Sequence, residues 1–317
     1  MSATEAAAVP TAEPGDDLHA LRNLIRADHL TDPSPGRVAL RTAGLVAIWC
    51  GSSAAGFALG RWWVWLAAWW LQALLLVGSY SAMHEGTHGC LSRSRRRNQL
   101  LAAAWGLTIL WNAALWRQFH LAHHAHTGTD RDPEPHEEAT SVLRYLLGIP
   151  LAGIGFAVAQ WVISARAACT GVTPDWGRTS GRRAARRNGT ALLVWTAALI
   201  AATAAQPGLV LRLWLGPYLL AVLLVAPATG ITEHYGCERG GRGSDPFSVT
   251  RSVVTNPVVR FVFWQNNYHA AHHAFPAVPA HHAARLHRAV AERTVHLSSG
   301  YVRFHLSQLR ALAARAR

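Results

Sequence analysis

The 317-residue chain contains no lysine, so arginine carries all 30 of its fixed positive charges. Acidic side chains number only 17, and charged residues make up 15% of the chain, against about 25% in soluble domains. So little charge argues against an ordinary soluble surface. The apolar residues, half of the total, also gather in long runs that a soluble core does not need. Cysteine is sparse: Cys50, Cys90, Cys169 and Cys237 are scattered without C-x-x-C spacing. That excludes a recognisable disulfide framework or thiolate metal site and leaves buried free thiols. Residues 1–17 are Ala, Pro, Gly and acidic and lack the apolar core of a cleavable signal. The net charge of +13 comes without a nucleic-acid-binding motif. Its arginines flank the apolar runs, a pattern that orients membrane segments.

Apolar runs cover about Leu40–Gly60 and Trp62–Met83, separated only by Gly60 and Arg61, and about Thr190–Ala205 and Leu209–Ala228, joined at Gln206-Pro207-Gly208. Runs approaching 20 residues can cross a hydrocarbon core, so these read as two tight helical hairpins. Trp62, Trp63, Trp161 and Trp214 fall near run ends, where membrane interfaces favour tryptophan. A shorter stretch, Gln99–Trp116, reads as an interfacial helix. Another run, Val142–Ile163, is interrupted by Gly148, Pro150, Gly153 and Gly155. Arginine is dense before the first run, at 91–97, at 178–187 and near the C-terminus, which places all four on the cytosolic side. Parity then requires that 142–163 enter and leave on the same side, as a re-entrant or surface-lying hairpin. The expected fold is all-α integral membrane: four transmembrane helices in two hairpins, one non-crossing apolar hairpin, and a cytosolic helical cap. The expected organisation is a polar, disordered N-terminal region at 1–37, a membrane domain at 38–290 and a basic cytosolic tail at 291–317.

Three histidine clusters stand at the polar edges of these runs: His84-Glu85-Gly86-Thr87-His88, His120-Leu121-Ala122-His123-His124 and His269-Ala270-Ala271-His272-His273. Imidazoles at i, i+3 and i+4 lie on one side of a helix, so each cluster can address one site. One metal takes about four to six donors, so eight imidazoles suggest two metals. Neutral imidazole suits iron, copper, zinc and nickel. Without matched carboxylates the centre stays cationic and able to change oxidation state. The first cluster also spells H-E-x-x-H, in which Glu85 would be the general base of a zinc membrane peptidase. That reading leaves both H-x-x-H-H clusters unexplained. A metal transporter would want ionisable residues inside the spans, and the runs hold almost none.

The order HEGTH, HLAHH, HAAHH, interrupted by a pair of spans, resembles the membrane fatty acid desaturase superfamily. So do Arg117–Pro135, with its trailing acidic-Pro turn, and Asn256–His287, with its Pro-x-x-Pro and Leu-His tail. The resemblance covers about residues 40–290. It implies two iron ions held by His84, His88, His120, His123, His124, His269, His272 and His273 at the cytosolic membrane face. The resemblance also implies a ninth ligand, His234, since the family often supplies one more histidine just after the last span. It also implies O2 as co-substrate and hydrogen abstraction from an unactivated C–H bond. The outcome is an alkene in a fatty-acyl chain, or an alcohol or ketone if the relative is a hydroxylase or ketolase of a lipid, carotenoid or natural product. Asn266, Asn267 and Glu85 are candidates for supporting the ligands from behind. Asp130, Asp132 and Glu134 could orient ligand rings, while His126 and His136 read as surface residues. His281, His282 and His287 read as structural, and His19, His29, His296 and His305 have no supporting pattern. Trp105, Trp111 and Trp116 could shape an acyl tunnel. With no haem or flavin module in the chain, electrons would come from an external carrier such as a ferredoxin, drawn to the arginine-rich face. The substrate would be a membrane lipid or acyl thioester, and nucleic acid is not expected as a partner.

Overall fold

The computed structural model describes residues 14–134, 138–240 and 244–315, with side chains from residue 21 onward. Residues 1–13, and with them most of the expected disordered tail, lie outside the described residues, as does His136. Helices dominate. A helix α1 (Pro14–Ala27) precedes α2 (Pro35–Leu59) and α3 (Trp62–Thr87). Then come α4 (Arg95–Thr108), α5 (Ala113–His126), α6 (Val142–Thr170) and α7 (Arg182–Ala205). A continuous helical segment, α8 (Pro207–His234), follows. The cap holds α9 (Pro257–Val262), α10 (His269–Ala274), α11 (Ala280–Ala289) and α12 (Tyr301–Arg315), with strands β1 (Arg251–Val253) and β2 (His296–Ser298) paired in parallel.

Five of these helices, α2, α3, α6, α7 and α8, are long and apolar enough to cross a membrane. The first hairpin forms as its sequence dictates. Pro35 starts α2 at a position where a missing N–H costs nothing, and Gly60 ends it in the left-handed region at φ 61°, which glycine adopts without strain. Trp62 and Trp63 stand exposed just beyond that turn. Helix α3 is the buried centre of the bundle. Its Gln72, fully buried, donates to Ser52 and Ser53 of α2, and its lower half carries the main apolar core through Leu75, Leu76, Ala82 and Met83.

Helix α8 widens twice, at Leu211–Leu215 and Ala221–Val225, into π-helical turns. Each stretch surrounds a carbonyl, Leu213 or Leu223, that Pro217 or Pro227 four residues later cannot bond. Gly153 of α6 meets this helix so closely that a Cβ there would lie 1.8 Å from the Val222 carbonyl oxygen.

Two segments differ from expectation. The stretch at 99–116 is not one helix: α4 and α5 meet at a bend of 103°, with Leu110 in the left-handed region. The run at 142–163 is not a hairpin but a single unbroken helix extending to Thr170, with Pro150 inside it. Glycine lowers helix propensity, yet apolar packing outweighs it here. The two ends of α6 meet two of the histidine-bearing helices, α8 and α5. Tyr145 rings against Tyr235, next to His234, and Ala167 packs with Leu115 of α5.

The polar flanks are also more ordered than their composition suggests. Ile25 and Leu30 are buried against Phe247, Tyr268 and Leu286 of the cap. The segment expected as a basic tail supplies β2 and α12. His305 of α12 bridges Tyr145 Oη at 2.7 Å and the Ala228 carbonyl at 2.8 Å, while Phe304 and Leu312 are buried.

Candidate metal centre

Four separate elements deliver histidines to one place. The last turn of α3 supplies His84, with His88 as its C-cap; α5 supplies His120, His123 and His124; His234 ends α8; and α10 supplies His269, His272 and His273. Their ring nitrogens fall into two adjacent groups. One contains His84, His88, His120, His124 and His272, the other His123, His234, His269 and His273, and within each group the candidate donor atoms lie within 4.8 Å of one another. His124 and His273 stack across the boundary with centroids 4.1 Å apart.

The partition follows helix geometry. At about 100° per residue, positions i and i+4 diverge by only about 40°, whereas i+3 falls about 100° from i+4. The pairs His84/His88, His120/His124 and His269/His273 therefore each stay in one group, and His123 and His272, at i+3, turn to the other. The H-x-x-H-H spacing thus bridges two positions, rather than aiming all three rings at one site.

The nitrogens face each other. His124 Nε2 is 2.9 Å from His120 Nε2 and 3.1 Å from His272 Nε2. His269 Nε2 is 3.1 Å from His234 Nε2 and 3.0 Å from His273 Nε2. Hydrogen bonds among rings cannot satisfy so many converging atoms, and both ring nitrogens of His84 and Nε2 of His88 are buried without a hydrogen-bond partner. A metal ion would satisfy them. With metal–imidazole bonds of about 2.1 Å, neighbours at 90° stand about 3.0 Å apart, and tetrahedral neighbours about 3.4 Å. The observed spacings of 2.9–3.1 Å suit neighbouring donors on one metal. Burial, reinforced by neighbouring histidines, holds His88, His269, His272 and His273 well below the ordinary imidazole range, so they stay in the neutral form that binds metals.

Outer contacts fix the rings. Asp132 Oδ1 accepts from His123 Nδ1 at 2.8 Å, with both side chains buried. His234 Nδ1 donates to the Val249 carbonyl at 3.0 Å. Each bond sets a tautomer that turns Nε2 inward. Of Asp130, Asp132 and Glu134, Asp132 is thus the one in contact with a ligand-position ring at hydrogen-bond length, with Glu134 at 3.7 Å.

The remaining candidates sit elsewhere. Glu85 Oε2 accepts from the Ala280 N–H at 2.7 Å and caps the start of α11, and it belongs to neither histidine group. It lines a small cavity with Trp264, Asn266 and His272. A peptidase base would instead stand beside the metal-bound water. Asn267 Nδ2 donates to the Val253 carbonyl at 2.8 Å, tying the approach of α10 to β1. Asn266 Nδ2 reaches Glu233 Oε1 at 3.4 Å, and Glu233 Oε2 lies 3.6 Å from His269 Nε2. Sequence reasoning missed Glu233. Its signal was its place immediately before His234. His126 belongs to neither group. His287 stacks on Tyr268 at 4.3 Å and His281 pairs with His282 at 4.1 Å.

Apolar and basic surroundings complete the site. Tyr80, Trp111, Trp116, Phe119 and Phe156 form an aromatic wall of ring contacts 4.9–6.0 Å apart, and Trp116 stacks on His120 at 5.4 Å. Trp105 is apart from it, ringed against Trp264. Outside, the charges of Arg95 and Arg178 are felt at Arg117, and that of Arg117 at His88.

The family model described as fatty acid desaturase matches residues 60–305. A 65-residue segment is 40% identical to a segment of the beta-carotene ketolase of Paracoccus sp. (strain N81106 / MBIC 01143). That similarity takes in 19% of this chain and 26% of the ketolase, so the chain is matched to about a quarter of that relative's length.

Proposed function

Because the chain belongs to the fatty acid desaturase family, an oxidoreductase of the membrane, we propose that it is a di-iron enzyme that uses O2 to introduce a double bond into a fatty-acyl chain. The observation that carries this reading is the convergence of nine imidazoles into groups of five and four at one end of an apolar bundle. His84, His88, His120, His124 and His272 would hold one iron, and His123, His234, His269 and His273 the other. When bound, the irons supply O2 activation and removal of hydrogen from an unactivated C–H bond. The chain's own residues do the rest. Asp132 and the Val249 carbonyl orient their rings, the apolar core keeps bulk water away, and the wall of Trp111, Trp116 and Phe156 favours a hydrocarbon beside His84 and His120.

The arginine distribution supports a cytosolic location for the site, and the Arg95–Arg117–Arg178 group supports docking of an acidic electron carrier such as a ferredoxin. The substrate class is a membrane lipid or acyl thioester. A second reading, oxygen insertion by a hydroxylase or ketolase acting on a carotenoid or other lipid, is favoured by the segment similar to a beta-carotene ketolase. Mass spectrometry of lipids from a host expressing the chain separates the readings. Loss of two hydrogens from an acyl chain supports desaturation, and gain of oxygen supports the second reading. An unchanged lipid profile with an active carrier present would count against both.

A further inference from the structure

The two histidine groups are unequal, five donors against four, and a partly buried carboxylate stands beside the smaller one. Glu233 directly precedes His234 at the end of α8, and its side chain is 15% exposed. Oε1 meets the Asn266 amide at 3.4 Å and Oε2 meets His269 Nε2 at 3.6 Å. Among the described residues no arginine pairs with it. A largely enclosed carboxylate without a cation is costly to ionise, and a metal in the four-histidine group would supply that charge.

We propose that Glu233 is the fifth donor of that group, placing one carboxylate oxygen on the metal held by His123, His234, His269 and His273 while Asn266 holds the other oxygen. The geometry is apt. His269 Nε2 is the same nitrogen that faces His234 and His273, so Oε2 approaches the inward side of the ring. With bonds of about 2.1 Å to both atoms, a separation of 3.6 Å corresponds to a nitrogen–metal–oxygen angle of about 118°. The two metals would then differ in kind, one ringed by five neutral imidazoles and the other bearing an anionic oxygen. The anion favours the higher oxidation state at its own metal.

The inference rests on the reading that both histidine groups bind metal, and the test separates the two. Purified full-length chain is loaded with isotopically enriched iron. Metal content is measured under a competing chelator, and Mössbauer spectra are recorded for wild type, Glu233→Gln and Glu233→Asp. We expect two irons and two distinct doublets in wild type. Glu233→Gln should fall to about one iron and lose one doublet, and Glu233→Asp should recover at least part of the second. A Glu233→Gln protein that keeps two irons and both wild-type doublets overturns the proposal while leaving the di-iron reading intact. A wild type that binds no metal overturns both. Should the variants not fold, cobalt(II)-loaded wild type decides. Intense visible bands of four-coordinate cobalt at the second position would overturn the proposal, and the weaker bands of five-coordination throughout would support it.

Discussion

Replacing Asp132 with Asn should weaken one metal position and spare the other. Asp132 Oδ1 accepts from His123 Nδ1 at 2.8 Å and from the Glu134 N–H at 3.0 Å, while Oδ2 accepts from the Gly128 N–H at 2.9 Å. An amide cannot serve all three. In either orientation its NH2 group faces an N–H, and a charge-assisted bond worth about 1.5–3 kcal/mol is lost or inverted. The His123 ring is then free to take the wrong tautomer. Loss of such an outer partner typically lowers metal affinity about 10–100-fold, or about 1.4–2.7 kcal/mol. Since His123 belongs to the four-histidine group, titration with a competing chelator should release one metal from Asp132→Asn at roughly 10–100-fold lower chelator activity than from wild type. The second release should be unchanged. Coincident curves for the two proteins, or an equal shift in both releases, would refute the partition of histidines and the role of Asp132 in it.

His272→Ala removes a ring from the five-histidine group and should abolish turnover, whereas a zinc peptidase built on the first cluster alone would be nearly unaffected; product formation in membranes checks this. Gly153→Ala would set a methyl 1.8 Å from the Val222 carbonyl oxygen. It should force α6 from α8 and cost about 1–3 kcal/mol or more, measured as a lower unfolding temperature in detergent. Removing metal with a strong chelator should lower that temperature in wild type, because a ligand bound only by the folded state stabilises it. An identical temperature before and after chelation would count against a loaded centre.

Much of this molecule is readable from residues alone, and the limits have physical causes. The hairpin of α2 and α3 was legible because Gly60 and two apolar runs leave little else possible. The gathering of eight histidines was legible because i, i+4 spacing forces rings onto one helix face, whereas His234 was reached through the family resemblance. Their sorting into five and four was available in the same spacing, since i+3 and i+4 diverge by about 100°, but it was overlooked when a cluster was treated as one site. Other features depend on tertiary contact. The continuity of α6 through Pro150 and three glycines depends on packing against α7 and α8. The burial of Ile25, Phe304 and Leu312 depends on a cap that polar composition hides. Glu85 shows the opposite hazard, because H-E-x-x-H suggests a catalytic base and the fold spends that carboxylate on the N–H of Ala280.

The central claim is that one chain holds two metals on imidazole. Metal content of the purified full-length protein, read together with the identity of the metal, tests it most directly. The account predicts two irons per chain, both lost only when histidines of both groups are replaced. One zinc per chain, held after His272→Ala, would contradict it.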